Sequence, residues 1–246
     1  MSAPACSLVY LTCEAYRDLW PTVDKSCAHL KSMYGFSKVL VVSDFGEGEF
    51  ANAAFATAGS ASFSERVQAA LRLVPDEYVL LMLDDYYVPA GRPFDLSRFA
   101  SICSERRLDY LRLYPYPAKT KRKEKNICLL HREQKYAMNL HPAIWNRESL
   151  LLASSKGLES PWDFERWFNS PEARAAIPGV YMSRKDFLPF VELLIGGKLS
   201  PEAKPYLSSK ELDAFDRPFL KGSSFRWMGF KKWLRRHLPL FIQKRL

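Results

Sequence analysis

The chain has 246 residues, 48% of them hydrophobic, and a formal net charge of +9. This length and composition suffice for one large domain with its own core. No apolar run approaches the roughly 20 residues of a membrane-spanning helix, so we expect none. The start lacks the basic and then apolar pattern of a secretory signal. The 5 cysteines are an odd number, which indicates a reducing compartment with free thiols. They include no CxxC pair, so we expect no zinc cluster in this protein. We therefore predict a cytoplasmic protein.

The positive charge is concentrated in two segments. Residues 221–246 contain eight Lys or Arg and no acid, which leaves about +1 for the rest of the chain. Residues 119–125 hold five further cations and one glutamate. Domains that bind nucleic acid usually spread cations along the surface that faces it, so this distribution predicts no nucleic-acid partner. We divide the chain into a body, residues 1–220, and a basic C-terminal segment, residues 221–246, that serves as a surface anchor.

Apolar runs alternate with amphipathic stretches in the first part of the chain. They predict a strand at 7–12, a helix at 16–34, a strand at 38–43, a loop at 45–61, a helix at 65–73 capped by Ser64, and a strand at 78–83. A strand, helix and strand in succession predict a parallel pair with a right-handed crossover. The expected class is therefore α/β.

The second part of the chain continues this pattern with more interruptions. It predicts a helix from Asp95 or Ser97 to 105, a strand at 109–114, a flexible basic loop at 114–135, a return to the sheet at 136–145, helices at 147–154 and 160–169, a last strand at 178–183, and loops with short helices at 186–206. In the strand at 109–114, the alternation of Tyr110 and Arg112 with leucines predicts one side that faces solvent or a ligand.

Two adjacent aspartates end the most apolar strand. Asp84 and Asp85 follow the run YVLLML, which has the character of a strand buried on both faces. Open α/β sheets bind ligands at the carboxyl ends of their strands. Carboxylates are hard oxygen ligands, suited to Mg²⁺ or Mn²⁺ bridged to a substrate phosphate. The alternative is a strand-end turn in which one aspartate merely caps the residues that follow.

Further polar residues are expected at the same crevice. Thr12 and Glu14 follow the first strand, Asp44 follows the second, and Arg66 opens a helix. Neighbouring parallel strands share one crevice, so these side chains can meet around one ligand. A diphosphate ligand would need the arginine and a bridging cation, and Asp44 is suited to accept a hydrogen bond from a base or ribose. The alternatives are a turn residue for Asp44 and a solvated helix face for Arg66.

Several motifs in a fixed order resemble one enzyme family. They are LTCEAYRDLW, VVSD, SFSERVQAAL, YVLLMLDDYYV, LRLYPYP and the segments 143–147 and 161–165, together covering about residues 8–168. In this order they resemble bacterial GT-A-fold glycosyltransferases, similar to the family-2-like inverting transferases of polysaccharide biosynthesis. The resemblance implies a mostly parallel central sheet of Rossmann type flanked by helices, followed here by a basic amphipathic helical extension. The chain departs from that family in having DD where DxD is usual.

The resemblance also implies roles for individual residues. Thr12, Glu14 and Asp44 would line the nucleotide end of the donor site, and Arg66 would lie near the diphosphate. Asp84 would lie at the ribose or sugar and Asp85 would be the principal metal ligand. Because the usual spacer is absent, the resemblance leaves open whether Asp84 also touches the metal.

An inverting transferase needs a base for the acceptor hydroxyl. The resemblance places a catalytic acid at the helix start PWDFE, where Glu165 is the first choice and Asp163 the second. A helix N-terminus stabilises a carboxylate. The alternative is that both acids only complement the helix dipole. His141 lies near the expected site, where it either contacts substrate or is a hydrogen-bonded core residue.

The C-terminal segment has the pattern of an interfacial helix. On a helix from residue 226, aromatic residues share one face and cations the other: Trp227, Phe230 and Trp233 against Lys231, Lys232, Arg235 and Arg236. Such helices lie on anionic bilayers. The alternative is a terminal helix that packs on its own domain.

We therefore predict a metal-dependent glycosyltransferase, peripheral at the inner face of the cell membrane. It would move a sugar from a nucleotide-diphosphate donor to a hydroxyl of a glycan or lipid-linked glycan in bacterial surface polysaccharide or lipopolysaccharide synthesis. The alternatives are a non-catalytic membrane-associated protein on a degenerate transferase fold and a metal-dependent nucleotidyltransferase.

Overall fold

The computed structural model describes residues 5–90, 95–115, 120–123, 126–133, 137–185, 188–213 and 215–237, with the side chains of 122–123 and 231–237 left out. The strands are β1 Cys6–Leu11, β2 Val39–Ser43, β3 Ala54–Thr57, β4 Tyr78–Leu83, β5 Tyr86–Tyr87, β6 Tyr110–Arg112, β7 Thr120–Lys123, β8 Ile127–Leu130, β9 Ala143–Asn146, β10 Val180–Ser183, β11 Val191–Glu192, β12 Leu194–Ile195 and β13 Lys198–Leu199. The helices are α1 Trp20–Met33, α2 Phe63–Leu73, α3 Leu96–Arg106, α4 Arg147–Ser154, α5 Pro161–Phe168, α6 Pro171–Ala176, α7 Lys204–Ser208 and α8 Gly222–His237, with 3₁₀ turns at Glu14–Leu19 and Pro201–Ala203.

One nine-stranded sheet, in the order β3-β2-β1-β4-β9-β6-β10-β8-β7, organises the body. β1 pairs in parallel with both β2 and β4, and β2 pairs in parallel with β3. β9 is antiparallel to its neighbours β4 and β6, while β6 and β10 are parallel. The predicted α/β class with a mostly parallel central sheet is confirmed.

Helices cover both faces of this sheet because its strands are apolar on both faces. Along β1, Val9 and Leu11 pack in one core cluster with residues of α2, α4 and α5. Leu8 and Tyr10 point to the opposite face and pack with residues of α1 and α3. Side chains of successive strand residues point to opposite faces of the sheet. The alternate residues of one continuous apolar strand therefore pack into two different core clusters, one on each face.

Several predicted elements differ from the observed ones. The loop at 45–61 contains β3, which extends the sheet edge, and the expected flexible segment contains the antiparallel strands β7 and β8. The described part of segment 114–135 therefore includes sheet, and its remaining residues lie outside the described ranges. The expected strand at 178–183 is not the last, because β11, β12 and β13 follow it. Segment 16–34 is a helix only from Trp20, because a 3₁₀ turn with a non-helical Tyr16 precedes it.

Two predicted side-chain roles are also wrong. Ser64 does not cap α2, because the N-cap position is Ser62; the Ser64 hydroxyl instead accepts a hydrogen bond from the Leu158 amide at 2.8 Å. Tyr110 and Arg112 do not face solvent, because both are fully buried. The Tyr110 hydroxyl donates to the Asn139 carbonyl at 2.8 Å, and the Arg112 Nε donates to the Tyr114 carbonyl at 3.1 Å. These hydrogen bonds allow the polar groups to be buried.

Phe164→Ala is expected to lower the free energy of unfolding by about 3–5 kcal/mol, as for other buried phenylalanines. Phe164 is fully buried, and its ring packs against Phe63 at 5.2 Å and Trp145 at 6.0 Å between centroids. Urea unfolding measures the change, with the exposed Leu152→Ala as a control that should stay within about 0.5 kcal/mol. A loss below about 1 kcal/mol at Phe164 would contradict this packing.

Candidate functional site

A cavity of about 660 Å³ opens at the carboxyl ends of β1 and β4. Its charged lining comprises one cation, Arg66, and four carboxylates, Asp84, Asp85, Glu165 and Glu192. The remaining lining includes His141, Asn139 and a set of apolar side chains. The lining therefore carries more acidic than basic groups, and a cation bound with an anionic ligand would reduce the repulsion between them.

A backbone hydrogen bond between neighbouring strands and two side-chain hydrogen bonds hold Asp84 in position. Its amide donates to the Leu11 carbonyl at 3.2 Å, which ties the end of β4 to the end of β1. Its Oδ2 accepts from the Thr12 hydroxyl at 2.7 Å, and Thr12 Oγ1 in turn accepts from the Trp20 indole at 2.9 Å. Burial raises the pKa of Asp84 to about 6, although the Thr12 hydrogen bond and the charge of Arg66 oppose this rise. Asp84 is thus a fixed part of the cavity floor.

Asp85 follows Asp84 at the cavity and has a buried side-chain oxygen. Its carbonyl accepts from the Leu193 amide at 2.7 Å, but its side-chain Oδ1 is buried and has no hydrogen-bond partner among the described residues. Burial, reinforced by the charges of Asp84 and Glu192, raises the pKa of Asp85 well above its ordinary value. A buried carboxylate oxygen without a donor is costly unless a cation satisfies it.

Asp84 and Asp85 fit a divalent cation whose other ligands are substrate phosphates and water molecules. Among the described residues, no group of three or more His, Cys, Asp or Glu side chains forms a site that could hold a metal ion. Mg²⁺ commonly binds through one or two carboxylates and takes its other ligands from substrate phosphates and water. Asp85, with Asp84 beside it, offers such a partial ligand set.

Arg66 supplies the positive charge of the cavity. It is nearly buried, and its Nη1 donates to the Thr12 carbonyl at 2.6 Å. Its Nε is buried and has no hydrogen-bond partner within the described part of the chain. The solvated helix face considered for Arg66 is therefore wrong, and its guanidinium is the charged donor group of the cavity lining.

Glu165 and Asp163 separate onto different sides of α5. Glu165 lines the cavity, and its Oε1 accepts from the Leu140 amide at 2.7 Å. Burial raises the pKa of Glu165, while the Leu140 hydrogen bond and the charge of Arg112 oppose the rise. Asp163 instead lines a shallow depression with Arg166 and accepts from the Ser160 amide in a capping box. Asp163 is therefore a helix cap, and the structure does not bring it to the cavity.

Three of the residues expected at the nucleotide end lie outside the cavity lining. Thr12 is buried behind Asp84. Asp44 accepts hydrogen bonds from the Glu14 amide at 2.7 Å and the Phe45 amide at 2.8 Å, as a strand-end turn residue does. Burial would raise the pKa of Asp44, but these amides hold it below its usual value. Glu14 forms a half-exposed ion pair with Arg17. These residues brace the turns after β1 and β2.

His141 lines the cavity within an aromatic cluster. Its ring stacks on Tyr114 with centroids 5.7 Å apart and lies 5.6 Å from the ring of Tyr86. Phe190 packs against the same rings. The cluster holds the imidazole at the cavity wall. A substrate contact by His141 stays a prediction.

The sequence interpretation missed Glu192. This residue follows Asp85 by more than a hundred positions, and the antiparallel pairing of β11 with β5 sets it opposite Tyr86, next to the aspartates. Its charge contributes to the raised pKa of Asp85. The only sequence signal was the short apolar run around it, VELLI, in a segment expected to be loops and short helices.

Helix α8 contributes one residue to the lining of the cavity. Met228 is part of the lining, while Trp227 and Phe230 are 55% and 47% exposed and stack on each other at 5.6 Å. Lys231, Lys232, Trp233, Arg235 and Arg236 continue α8, but their side chains lie outside the description. Within the described ranges, no helix is long and apolar enough to cross a membrane.

Comparisons with known proteins identify similar folds. No protein-family model matches the sequence, and no curated protein matches it. UTP-bound UGPase from Acinetobacter baumannii is 9% identical over 93% of this chain and 99% of its own, with a TM-score of 0.54. S. aureus TarS is 13% identical over 94% of this chain and 43% of its own, with a TM-score of 0.48. The bifunctional IspDF from Campylobacter jejuni is 18% identical over 67% of this chain and 47% of its own, with a TM-score of 0.38. This chain thus spans less than half the length of TarS and of IspDF.

The similarity to UGPase supports the fold class. The chain has a GT-A-like α/β fold, with the sheet order and flanking helices described above. At identities this low the likeness extends to the fold alone.

Proposed function

We propose that the protein is a glycosyltransferase that moves a sugar from a nucleotide-diphosphate donor to an acceptor hydroxyl. The observation that carries this proposal is the cavity in which Asp84, Asp85, Arg66 and Glu165 converge. Transfer requires a site for an anionic leaving group and, beside it, a base for the acceptor. The cavity offers candidate groups for both.

Asp85, with Asp84 beside it, would hold the divalent cation, and the Arg66 guanidinium would donate to a diphosphate oxygen. The cation supplies charge stabilisation for the departing nucleoside diphosphate. Glu165 removes the proton of the acceptor hydroxyl as the acceptor oxygen bonds to the anomeric carbon. The bond between that carbon and the diphosphate oxygen breaks with its electron pair on the diphosphate. A single displacement of this kind inverts the anomeric centre.

A nucleotidyltransferase is the second candidate, and the similarity to UTP-bound UGPase favours it. It would also use paired carboxylates and a metal, with a nucleoside triphosphate and release of pyrophosphate. The acidic cavity favours the first candidate, because a triphosphate carries more negative charge than a diphosphate sugar and Arg66 is the one cation among the described lining residues. The residues after β1, TCEAYRD, contain no glycine for a phosphate-cradling loop.

Calorimetric titration tests the proposal. The protein is titrated with UDP, GDP, CDP and their common sugar conjugates, with and without Mn²⁺. Metal-dependent binding of one diphosphate series is expected. Turnover of a nucleoside triphosphate with release of pyrophosphate would identify the second candidate instead. Absence of binding by any nucleotide would contradict both and leave a non-catalytic protein on a transferase fold.

We further propose that α8 attaches the protein to an anionic membrane, which suits a lipid-linked acceptor. Support comes from the exposed Trp227 and Phe230 and from the cations of residues 221–246. Replacing both aromatic residues with serine is expected to weaken binding to phosphatidylglycerol vesicles by about tenfold or more, since each buries an apolar ring in the bilayer. Vesicle co-sedimentation measures this, with phosphatidylcholine vesicles as the control. Unchanged binding would refute the anchor.

A further inference from the structure

Trp162 presents an exposed aromatic ring in the lining of the cavity. It is 72% exposed, the highest fraction among the large hydrophobic side chains of the described residues, and it lines the cavity. Single exposed apolar residues need no explanation by themselves. A tryptophan beside the groups proposed for catalysis does need one, because its apolar area remains in water when the cavity has no ligand.

The backbone holds Trp162 in place although its ring is exposed. Pro161 occupies the first turn of α5, and the capping box between Ser160 and Asp163 brackets the tryptophan on both sides. On the opposite side of α5, Phe164 and Phe168 are fully buried in the core. The ring is thus mounted on an anchored helix start, which limits the entropy lost when a ligand covers it.

Trp162 and Glu165 are three residues apart on α5 and both line the cavity. Side chains three apart on a helix are neighbours, about 5–6 Å between Cβ atoms. A molecule resting on the indole therefore lies within reach of the Glu165 carboxylate. The cavity lining also includes the apolar residues Leu194, Ile195 and Met228 beside its carboxylates and Arg66. The cavity therefore offers both apolar and charged groups to one ligand.

We propose that Trp162 is the platform on which a pyranose ring of the acceptor stacks, so that one of its hydroxyls faces Glu165. This inference rests on the proposed sugar transfer and names the acceptor class, a glycan. A pyranose has an apolar face of C–H groups and an edge of hydroxyls, which match an exposed indole beside a carboxylate. The flat ring gives area with few rotatable bonds to immobilise.

Saturation-transfer NMR with methyl glycosides of glucose, galactose, mannose and N-acetylglucosamine tests this platform without any donor. At least one glycoside is expected to receive saturation on its ring C–H groups. Trp162→Ala should weaken its binding by about tenfold, and Trp162→Phe should retain part of it. Trp167→Phe, on the same helix but lining the shallow depression, is the matched control and should bind as the unmodified protein does. Thermal unfolding of each variant checks folding.

Two results would overturn the platform. One is equal glycoside binding, or equal absence of it, in the unmodified protein and Trp162→Ala. The other is saturation of farnesol with none of any glycoside, which would identify the apolar part of the cavity lining as a lipid site. Titration of the unmodified protein and of Trp162→Ala with UDP and Mn²⁺ separates this proposal from the proposed function. The donor site does not include Trp162, so both proteins are expected to bind the nucleotide equally. Glycoside binding through Trp162 without any nucleotide binding would keep the platform and refute the donor site.

Discussion

Replacing Asp85 with asparagine is expected to abolish turnover and, at neutral pH, to make the metal-free protein more stable. The Oδ1 atom of Asp85 is buried without a hydrogen-bond partner in the part of the chain that the structure describes, and the carboxylates of Asp84 and Glu192 repel its charge. An amide keeps the shape and removes that charge. Loss of the proposed metal ligand should lower kcat by about 10³-fold or more. The gain in the free energy of unfolding should be about 1–3 kcal/mol, the cost of an unsatisfied buried group.

The gain in stability should depend on pH in a defined direction. The pKa of Asp85 is raised in the folded protein, so the folded state binds a proton more tightly than the unfolded chain does. Stability of the unmodified protein therefore falls as the pH rises above the ordinary aspartate pKa of about 4 towards the raised one. The advantage of Asp85→Asn should be present at pH 7.5 and should shrink below about pH 4.

Urea unfolding with EDTA at several pH values measures the free energies. Thermal unfolding adds a second readout, since Mn²⁺ with the preferred diphosphate should raise the melting temperature of the unmodified protein and not that of Asp85→Asn. Asn139→Asp is a useful counter-variant, because it adds a carboxylate to the same cavity and should destabilise the protein at pH 7.5. If Asp85→Asn is less stable than the unmodified protein at pH 7.5, Asp85 is not an uncompensated charge.

Glu165→Gln is expected to reduce kcat by about 10²–10⁴-fold, the usual contribution of a general base. Donor binding by calorimetry should be unchanged within about twofold, because Glu165 is assigned to the acceptor and its accepting oxygen for the Leu140 amide survives in glutamine. Burial raises the pKa of Glu165, so the acidic limb of kcat should lie above the ordinary glutamate value of about 4.3. Activity is lost as the pH falls through that limb, since only the carboxylate accepts a proton.

Asp163→Asn is the matched comparison on the same helix. The sequence offered both acids as bases, but Asp163 points away from the cavity and caps α5. Its variant should retain kcat within a few-fold and keep the pH profile of the unmodified protein. A large loss of kcat at Asp163 with little at Glu165 would reverse the assignment.

Local sequence patterns predicted the elements whose formation depends on residues close together in the chain. The apolar run before Asp84 predicted β4, and Ser160 with Pro161 predicted the start of α5. Asp84, Asp85 and Arg66 were expected in one crevice because parallel strands present their carboxyl ends at one edge, and all three line the cavity. Thr12, Glu14 and Asp44 were expected there by the same argument and lie outside its lining. Glu165, which also lines the cavity, was suggested by the family resemblance alone.

The parts that the sequence did not predict depend on long-range pairing. β3 is a four-residue strand with no periodic signal, and only its register against β2 makes it part of the sheet. Glu192 reaches the aspartates through a two-residue strand. The roles of Asp44 and Asp163 could not be separated from ligand binding, because a turn, a helix cap and a ligand site all favour aspartate.

One helix contributes to two surfaces of this protein, since α8 sets Met228 into the cavity wall and turns Trp227 and Phe230 outward. If α8 is the membrane anchor proposed above, the affinity for acceptor and the affinity for the bilayer are linked quantities. By linkage, a vesicle that changes the position of α8 changes the affinity for acceptor, and an acceptor that moves Met228 changes the affinity for the vesicle by the same factor. Under that proposal, acceptor affinities of this protein would be comparable only at a fixed lipid concentration.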